Sequence, residues 1–336
     1  MIPHELLAAL RNCRRALVIS HVKPDGDAVG SLLAMGTLLR AQGTDVTLTL
    51  QDPVPAELSR LPGVERIVTH AGIGAGYDTV VVVDASSPDR MGTAWSEELR
   101  GLPLLVIDHH VTNNRFGTVN WVAADNAATC QMLVELADTL GVPLSGELAQ
   151  NLLTGLVTDT LCFRTNNTTP QVLAAGMRLL QAGASLTDIT EGILDQRPFS
   201  VIRLWGRVLD GAEMEQGVIW ACISRADFAA SQAGNMDDDP GGADSDGSLS
   251  SMLIRTIGAD MSASFLEKVD EAGDPAVECS FRARRGFDIS RIALELGGGG
   301  HPAAGGVTIA GTLDQAVATV VPMLQAARRA QLAHQL

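Results

Sequence analysis

The sequence contains few of the residues that cross-link small or secreted proteins. Only five of its 336 residues are cysteines, and no two of them form a Cys-x-x-Cys pair. An odd number of widely spaced cysteines indicates neither a disulfide framework nor a structural zinc site. We interpret them as reduced structural residues: Cys13, Cys130, Cys162, Cys222 and Cys279.

Long hydrophobic stretches are also missing. No apolar run approaches the roughly 18 residues that a membrane-spanning helix requires. The first residues lack the apolar segment and the small-residue cleavage site of a signal peptide. We therefore expect a cytoplasmic protein that does not interact with a membrane.

Basic residues are scarce. Lysine and arginine number 24 against 39 aspartates and glutamates, which gives a formal net charge of −15. Proteins that track a long nucleic-acid backbone usually need a basic surface, so we expect no long nucleic acid as a partner. A small anionic substrate in a locally neutralised pocket remains compatible with this charge.

Three short apolar runs each end abruptly in residues that bind metals. Runs of four or five apolar residues bounded by polar ones indicate buried strands. In open α/β sheets, ligands bind outside the carboxyl ends of the strands, so these polar residues are expected at one edge of a sheet. The runs 16–19, 79–83 and 104–107 lead, in turn, into His21 with Asp25 and Asp27, into Asp84, and into Asp108, His109 and His110.

The pattern of apolar runs and helical segments predicts an α/β protein with two domains. Strands that alternate with helices favour a doubly wound, mainly parallel sheet, which we assign to residues 1–195. A helical connector is predicted at 196–215, and a second, smaller α/β domain at 216–336, with a catalytic cleft between the domains. The acidic segment 235–247 is interpreted as a solvated surface loop.

Each polar residue at these strand ends has a simpler explanation when it is taken alone. Asp25 or Asp27 could cap a helix, Asp84 could form an Asx turn, and residues 108–110 could be polar strand-end residues. These explanations do not account for the clustering. Asp159 is predicted near the end of a helix, where a carboxylate meets the negative end of the helix dipole, and this conflict indicates a function.

Taken together, these residues predict a metal centre. The set has four carboxylates and two imidazoles, and two divalent cations would bring its formal charge to zero. Its members are Asp25, Asp27, Asp84, Asp159, His21 and His109. Imidazole and carboxylate ligands suit Mn²⁺ best here, with Mg²⁺ or Co²⁺ as alternatives. Two metals suit phosphoryl displacement, and Asp84 is the candidate to bridge them. A single structural metal is the alternative.

These motifs, in this order, resemble those of the DHH phosphoesterases. The resemblance implies two sets of ligands, one formed by His21, Asp25 and Asp84 and the other by Asp27, Asp84, His109 and Asp159. It also implies that His110 contacts the scissile phosphate and that Asp108 orients the site from behind the ligands.

A second motif lies near the end of the chain. Residues 297–306 contain six glycines and His301, and a glycine run alone is weak evidence because many such runs are flexible turns. The run resembles the Gly-Gly-Gly-His signature of the DHHA1 domain, which implies substrate contacts. These candidates are Arg282, Arg284, Gly298, Gly299, Gly300 and His301, and the sequence leaves open which of Arg282, Arg284 and Arg285 takes part.

Together the two motifs resemble the nanoRNase and pAp-phosphatase branch of the family. This resemblance implies hydrolysis of short oligonucleotides, such as pApA, to mononucleotides and of pAp to AMP, and it implies a homodimer. We predict in-line attack by a metal-bridging hydroxide. The alternatives are a DHH-type inorganic pyrophosphatase and a nucleotide-binding regulator without catalytic activity.

Overall fold

The chain forms two compact units, Met1–Gln196 and Arg197–Leu336. The computed structural model describes residues 1–69, 76–96, 99, 101–232, 248–270 and 272–333. The acidic segment 235–247, for which a surface loop was predicted, lies outside the described residues. Within the described ranges, no helix is both long enough and apolar enough to cross a membrane.

The first unit contains a six-stranded sheet in which every pairing is parallel. Two interior strands of this sheet, Thr79–Val83 (β4) and Leu104–Asp108 (β5), are buried along their whole length, as expected when helices cover both faces of a sheet. The predicted doubly wound α/β fold is therefore confirmed. The strands are β1 (Arg15–Ile19), β2 (Asp45–Leu50), β3 (Ile67–Thr69), β4 (Thr79–Val83), β5 (Leu104–Asp108) and β6 (Val119–Val122).

The strand order of this sheet reverses between β1 and β4. The order is β3-β2-β1-β4-β5-β6. Strands β2 and β3 therefore lie on one side of β1, and strands β4, β5 and β6 lie on the other. At such a switch point the loops that follow the two strands diverge and leave a crevice at the carboxyl edge. His21 follows β1 and Asp84 follows β4, so the topology places both residues at this crevice.

Two helices of the first unit pack closely through glycines. A Cβ atom at Gly26 would overlap the side chain of Thr158, and one at Gly155 would overlap Asp27 and Cys130. This glycine contact brings the start of α2 against the end of α4. The helices of this unit are α1 (His4–Asn12), α2 (Gly26–Ala41), α3 (Thr129–Leu140), α4 (Gly146–Asp159), α5 (Pro170–Gln181) and α6 (Leu186–Ile189).

The second unit contains a mixed six-stranded sheet in the order β11-β12-β10-β9-β8-β7. Only the β8–β9 pairing is parallel among the pairings described. The strands are β7 (Glu213–Glu215), β8 (Val218–Ile223), β9 (Met261–Val269), β10 (Pro275–Ala283), β11 (Gly299–His301) and β12 (Ala304–Ala310).

The stretch predicted as a connector, 196–215, packs with the second unit. Val201 and Leu204 share a hydrophobic cluster with Ile219 of β8, and β7 pairs with β8. The limits of the three predicted domains stay a prediction. The helices of this unit are α7 (Phe199–Val208), α8 (Arg225–Gln232), α9 (Ser248–Leu253), α10 (Ser290–Glu295) and α11 (Leu313–Ala333).

Candidate metal centre

The loop after β1 supplies a buried imidazole and a helix cap. His21 Nδ1 lies 2.8 Å from the carbonyl oxygen of Val22, and because a carbonyl oxygen only accepts, this contact places the proton on Nδ1. Nε2 then faces Asp25 Oδ1 at 3.7 Å. Asp25 also caps α2, since its Oδ1 accepts hydrogen bonds from the N–H groups of Asp27 and Ala28. The capping explanation therefore holds for Asp25 and is compatible with a second role.

Asp27 is fully buried and is held by the first turn of α3. Its Oδ2 accepts a 2.6 Å hydrogen bond from the N–H of Thr129, and its Oδ1 accepts one of 2.9 Å from the N–H of Cys130. Burial, together with the nearby carboxylate of Asp84, raises the pKa of Asp27 well above its usual range. A helix N-terminus therefore orients this carboxylate towards the centre of the cluster.

Asp84 stands between the two imidazoles. Its Oδ2 lies 3.5 Å from His21 Nε2, and its Oδ1 lies 3.5 Å from His109 Nε2. The residue adopts a left-handed backbone with φ 57°, a conformation that aspartate tolerates better than most residues. The hydroxyl of Thr129 donates a 3.0 Å hydrogen bond to Asp84 Oδ1, which fixes the orientation of the carboxylate.

His109 directs a buried nitrogen at three carboxylates. Its Nε2 lies 3.3 Å from Asp159 Oδ2, 3.5 Å from Asp84 Oδ1 and 3.9 Å from Asp27 Oδ2. This nitrogen is buried and makes no hydrogen bond to any residue that the structure describes. Its Nδ1 approaches the carbonyl oxygen of Asn126 at 3.4 Å, an arrangement that leaves Nε2 with a lone pair for a ligand.

These distances fit the coordination of divalent metal ions. Ligand atoms bound at about 2.0–2.1 Å to one octahedral ion lie roughly 3 Å apart, close to the 3.3–3.9 Å separations seen here. The donors are carboxylates and imidazoles without a thiolate, a set that suits Mn²⁺, Mg²⁺ or Co²⁺. Among the residues that the structure describes, three groups could hold an ion: His21, Asp25 and Asp84; Asp27, His109 and Asp159; and Asp84, His109 and His110.

Without a metal, the cluster has too many neighbouring carboxylates for all of them to ionise. Burial, together with the charges of Asp27 and Asp84, raises the pKa of Asp159 well above its usual range. Burial opposes protonation of His21, but its contacts with Asp25 and Asp84 prevail and raise its pKa to about 10. The metal-free cluster therefore retains protons that a bound cation would displace.

His110 lies beside the cluster as part of a hydrogen-bonded chain. Its Nδ1 lies 2.7 Å from Asp108 Oδ1, and Asp108 Oδ2 accepts a 2.6 Å hydrogen bond from the amide of Asn113. The bond to Asp108, which exceeds the opposing effect of burial, raises the pKa of His110. Burial likewise opposes ionisation of Asp108, yet its bond to His110 lowers its pKa. The raised pKa of His110 favours the imidazolium form, in which Nε2 also carries a proton.

In the second unit, sheet register aligns two of the predicted substrate contacts. Arg282 of β10 pairs with Ala304 of β12, and Ala304 pairs with His301 of β11. Directly paired residues point to the same face of a sheet, so Arg282 and His301 flank Ala304 on one face. Arg282 Nε donates to Ser251 Oγ at 3.0 Å. Arg284 instead donates to backbone carbonyl oxygens at residues 254 and 256.

The glycine run has a more regular structure than the loop that the sequence predicts. Residues 299–301 form β11, in which Gly299 pairs with Gly306 and Gly300 with Gly305. A Cβ atom at Gly298 or at Gly300 would overlap the backbone of β12, whereas one at Gly299 would meet open space. Close strand packing therefore requires two of these glycines, and Gly299 is the one with room for a ligand.

Two residues that contact the cluster were missed by the sequence analysis. Thr129 binds both Asp27 and Asp84, and Asn113 holds Asp108. Neither follows a predicted strand, and neither belongs to a recognised motif. No signal in the sequence distinguishes them from ordinary polar residues, because the contacts of Thr129 depend on the packing of α3 against the start of α2.

The sequence matches known proteins over both units. Residues 15–156 match the model of the DHH family, N-terminal domain. The bifunctional oligoribonuclease and PAP phosphatase NrnA of Thermus thermophilus is 35% identical over 314 residues, which cover 90% of this chain and 87% of that protein. The protein of the same name from Bacillus subtilis is 25% identical over 91% of this chain and 92% of its own length.

A solved structure shares the fold. An exopolyphosphatase-related protein from Bacteroides fragilis superposes with a TM-score of 0.83, at 21% sequence identity. The match covers 99% of this chain and 97% of that structure. At this level of identity the similarity shows the architecture and carries no argument about activity.

Proposed function

Because this chain belongs to the DHH family of phosphoesterases, we propose that it is a metal-dependent hydrolase of short oligonucleotides and of pAp. Its products would be mononucleotides from oligonucleotides such as pApA, and AMP from pAp. The two NrnA relatives, whose names give both activities, support this choice of substrates. Long nucleic acids are excluded from the proposal because the net charge of −15 opposes binding along a polyanion.

The observation that carries the proposal is the position of Asp84. One oxygen of this carboxylate faces His21 and the other faces His109, each at 3.5 Å. A carboxylate placed in this way can contribute one oxygen to each of two ions. A two-ion site is suited to displacement at phosphorus, where both the attacking and the leaving oxygen need charge stabilisation.

We assign the ligands of the two ions from this geometry and from the family resemblance. Mn²⁺ is the favoured ion, and Mg²⁺ or Co²⁺ would be accepted by the same donors. When bound, the cations supply an acidified water and neutralise charge on the phosphoryl group. The first ion would be held by His21, Asp25 and Asp84, and the second by Asp27, Asp84, His109 and Asp159.

His110 would act on the substrate. Asp108 holds the Nδ1 proton at 2.7 Å, and the raised pKa of His110 favours the imidazolium form, whose Nε2–H can donate to a phosphoryl oxygen. A donor that is already oriented stabilises charge as it develops in the transition state. Asp108 would act only through His110, because both of its oxygens are used by His110 and Asn113.

The second unit would contribute recognition of the substrate. Arg282 and His301 lie on one face of its sheet, and Gly299 offers backbone that a phosphate could approach. Arg284, Gly298 and Gly300 contact the backbone around them and are less suited to the role. A homodimer and a cytoplasmic location belong to the proposal as further expectations.

The test is product analysis with purified protein and Mn²⁺. A 5′-phosphorylated dinucleotide, pAp and inorganic pyrophosphate would be incubated separately, and the products separated by ion-exchange chromatography. An Asp84→Asn variant, tested in parallel, detects activity from contaminating enzymes. Mononucleotide from the first two substrates, with pyrophosphate intact, is the expected result. Cleavage of pyrophosphate alone would indicate an inorganic pyrophosphatase, and the absence of any turnover would indicate a binding protein.

A further inference from the structure

One arginine outside the predicted motifs lies against the candidate metal centre. Arg90 belongs to the 3₁₀ segment Pro88–Ala94 that follows β4. Its carbonyl oxygen accepts a 2.6 Å hydrogen bond from the N–H of Val22. The N–H of Thr93, in the same segment, donates to Gln51 Oε1 at 2.8 Å. The backbone of Arg90 is therefore tied to the loops that follow β1 and β2, at the carboxyl edge of the sheet.

The side chain of Arg90 lies beside a metal-ligand candidate. Its Nη2 is 3.4 Å from His21 Nδ1. Because Nδ1 already donates to the carbonyl oxygen of Val22 at 2.8 Å, this approach is a contact between two donors. His21 is buried, whereas Arg90 is exposed. Nε2 of His21 faces the carboxylates of Asp25 and Asp84, so the exposed guanidinium lies at the opposite edge of the imidazole.

The charge of Arg90 is not compensated locally. Within the described part of the chain, no carboxylate oxygen lies within 4 Å of its guanidinium. A divalent cation held by His21 would add positive charge beside it. A cation bound at Nε2 and the guanidinium at the Nδ1 edge would repel each other across the imidazole, so this placement favours a negative group that contacts both. Guanidinium groups bind phosphate through paired hydrogen bonds.

We propose that Arg90 is a substrate-binding residue that contacts a non-bridging oxygen of the phosphate at the metal held by His21. The inference rests on the proposed function, because it takes the bound anion to be the phosphate of the substrate. It adds a cationic contact from the first unit to those expected from Arg282 and His301. A phosphate with one oxygen at the ion and another at the guanidinium would compensate both charges.

The test compares Arg90→Gln, Arg90→Lys and a matched control, Arg14→Gln. Arg14 is exposed and directly precedes β1, at the opposite edge of the sheet. Steady-state kinetics with a 5′-phosphorylated dinucleotide and Mn²⁺ would be combined with metal analysis of the dialysed proteins. Loss of a hydrogen bond to a charged group predicts a fall in kcat/KM of roughly 10- to 100-fold for Arg90→Gln.

The expected pattern separates substrate binding from a structural role. Arg90→Gln should raise KM and leave the metal content unchanged, Arg90→Lys should recover part of the loss, and Arg14→Gln should match the wild type. The slope of log kcat/KM against log salt concentration should become shallower for Arg90→Gln, because one phosphate contact is lost. A kcat/KM within twofold of wild type, or a loss that follows loss of metal, would overturn the proposal.

A binding measurement tests the phosphate contact of Arg90 independently of whether the proposed substrates are hydrolysed. AMP would be titrated into each Mn²⁺-loaded protein by isothermal calorimetry. If the wild type hydrolyses neither the dinucleotide nor pAp, the proposed function fails. Weaker AMP binding by Arg90→Gln than by Arg14→Gln would still support the phosphate contact. Equal AMP affinity in the two variants would refute it.

Discussion

The hydroxyl of Thr129 donates a 3.0 Å hydrogen bond to Asp84 Oδ1, across 45 residues of sequence. The N–H of the same residue donates to Asp27 Oδ2 at 2.6 Å. One threonine at the start of α3 thus orients two carboxylates that we assign as metal ligands. Both contacts are buried, so their loss would not be replaced readily by water.

Thr129→Val should weaken metal binding. Valine keeps the shape and the backbone N–H but removes the hydroxyl, so Asp84 loses its orienting partner. Changes in residues that orient ligands typically lower metal affinity by about 10- to 100-fold. The affinity for Mn²⁺ can be measured by calorimetric titration. Thr129→Ser restores a hydroxyl and should behave like the wild type, and equal affinities for the serine and valine variants would contradict this role.

Asp84→Asn should remove metal from both halves of the cluster. The amide is neutral and offers a single oxygen, so it cannot serve both His21 and His109. Metal analysis after dialysis should therefore show less than one ion per chain, with activity reduced in parallel. Asp25→Asn is the comparison, because Asp25 belongs to one group only. Two bound ions and the wild-type rate in the Asp84→Asn variant would refute the assignment of Asp84 as the bridging ligand.

His110→Gln should lower turnover without removing metal. The substitution abolishes the charged donor, and loss of one oriented donor typically lowers kcat by about 10²- to 10³-fold. Metal content, measured by mass spectrometry of the dialysed protein, should stay near that of the wild type. An equal loss of metal and of activity would instead make His110 a ligand, as its proximity to Asp84 and His109 allows.

Metal binding should release protons at neutral pH. The pKa of His21 is raised to about 10 in the metal-free cluster, so its imidazole is protonated at pH 7.5 and must lose a proton to bind a cation. Mn²⁺ affinity should rise with pH and level off as pH passes that value. Calorimetry in buffers of different ionisation enthalpy counts the released protons. An enthalpy independent of the buffer would show that the cluster binds metal without losing a proton.

The same shift predicts how pH acts on the metal-free fold. A histidine whose folded-state pKa exceeds its ordinary value of 6.5 stabilises the fold most below that value. The contribution of His21 should therefore decline as pH rises from 6.5 through about 10. Thermal unfolding of the chelated protein across this range, with His21→Gln as reference, would reveal the contribution.

Substitution of Arg282, which lies in β10, and of Arg284, which directly follows this strand, should have different effects on KM and on stability. Arg282→Gln should raise KM for a dinucleotide, because Arg282 shares a sheet face with His301. Arg284→Gln should leave KM unchanged and lower the melting temperature by a few degrees, because its guanidinium binds backbone carbonyl oxygens at residues 254 and 256. A raised KM for Arg284→Gln together with an unchanged KM for Arg282→Gln would identify Arg284 as the substrate contact instead.

Much of the first sheet could be predicted because its strands are buried on both faces. The run 79–83 is a threonine followed by four valines, and the strand in the structure has the same bounds. The helix Pro170–Gln181 has a similarly strong local signal, since Pro170 begins it and the Thr169 side chain caps it. Strong local signals of this kind need no knowledge of the rest of the fold.

Features that depend on packing could not be predicted in this way. The edge strand β6 is short and only partly buried, and α11 contains Pro322, which ordinarily disrupts a helical pattern. The glycine run was interpreted as a loop because such runs are often flexible turns, yet residues 299–301 form a strand through backbone pairing with β12. The hydrogen bond from Thr129 to Asp27 joins residues 102 positions apart, so no local sequence pattern indicates it.

The glycine contact between α2 and α4 also bears on the choice of ion. Asp27 lies in α2 and Asp159 ends α4, so the spacing of these helices sets the width of the cavity between their carboxylates. Ligand distances for Mg²⁺ and Ca²⁺ differ by only about 0.2–0.6 Å. A Cβ atom at Gly26 would overlap Thr158 Oγ1, and one at Gly155 would overlap Asp27 Oδ1, so a side chain at either position would force these groups to move. The preference of the site for ions of one radius would then depend on Gly26 and Gly155, two residues that have no side chain to act as a ligand.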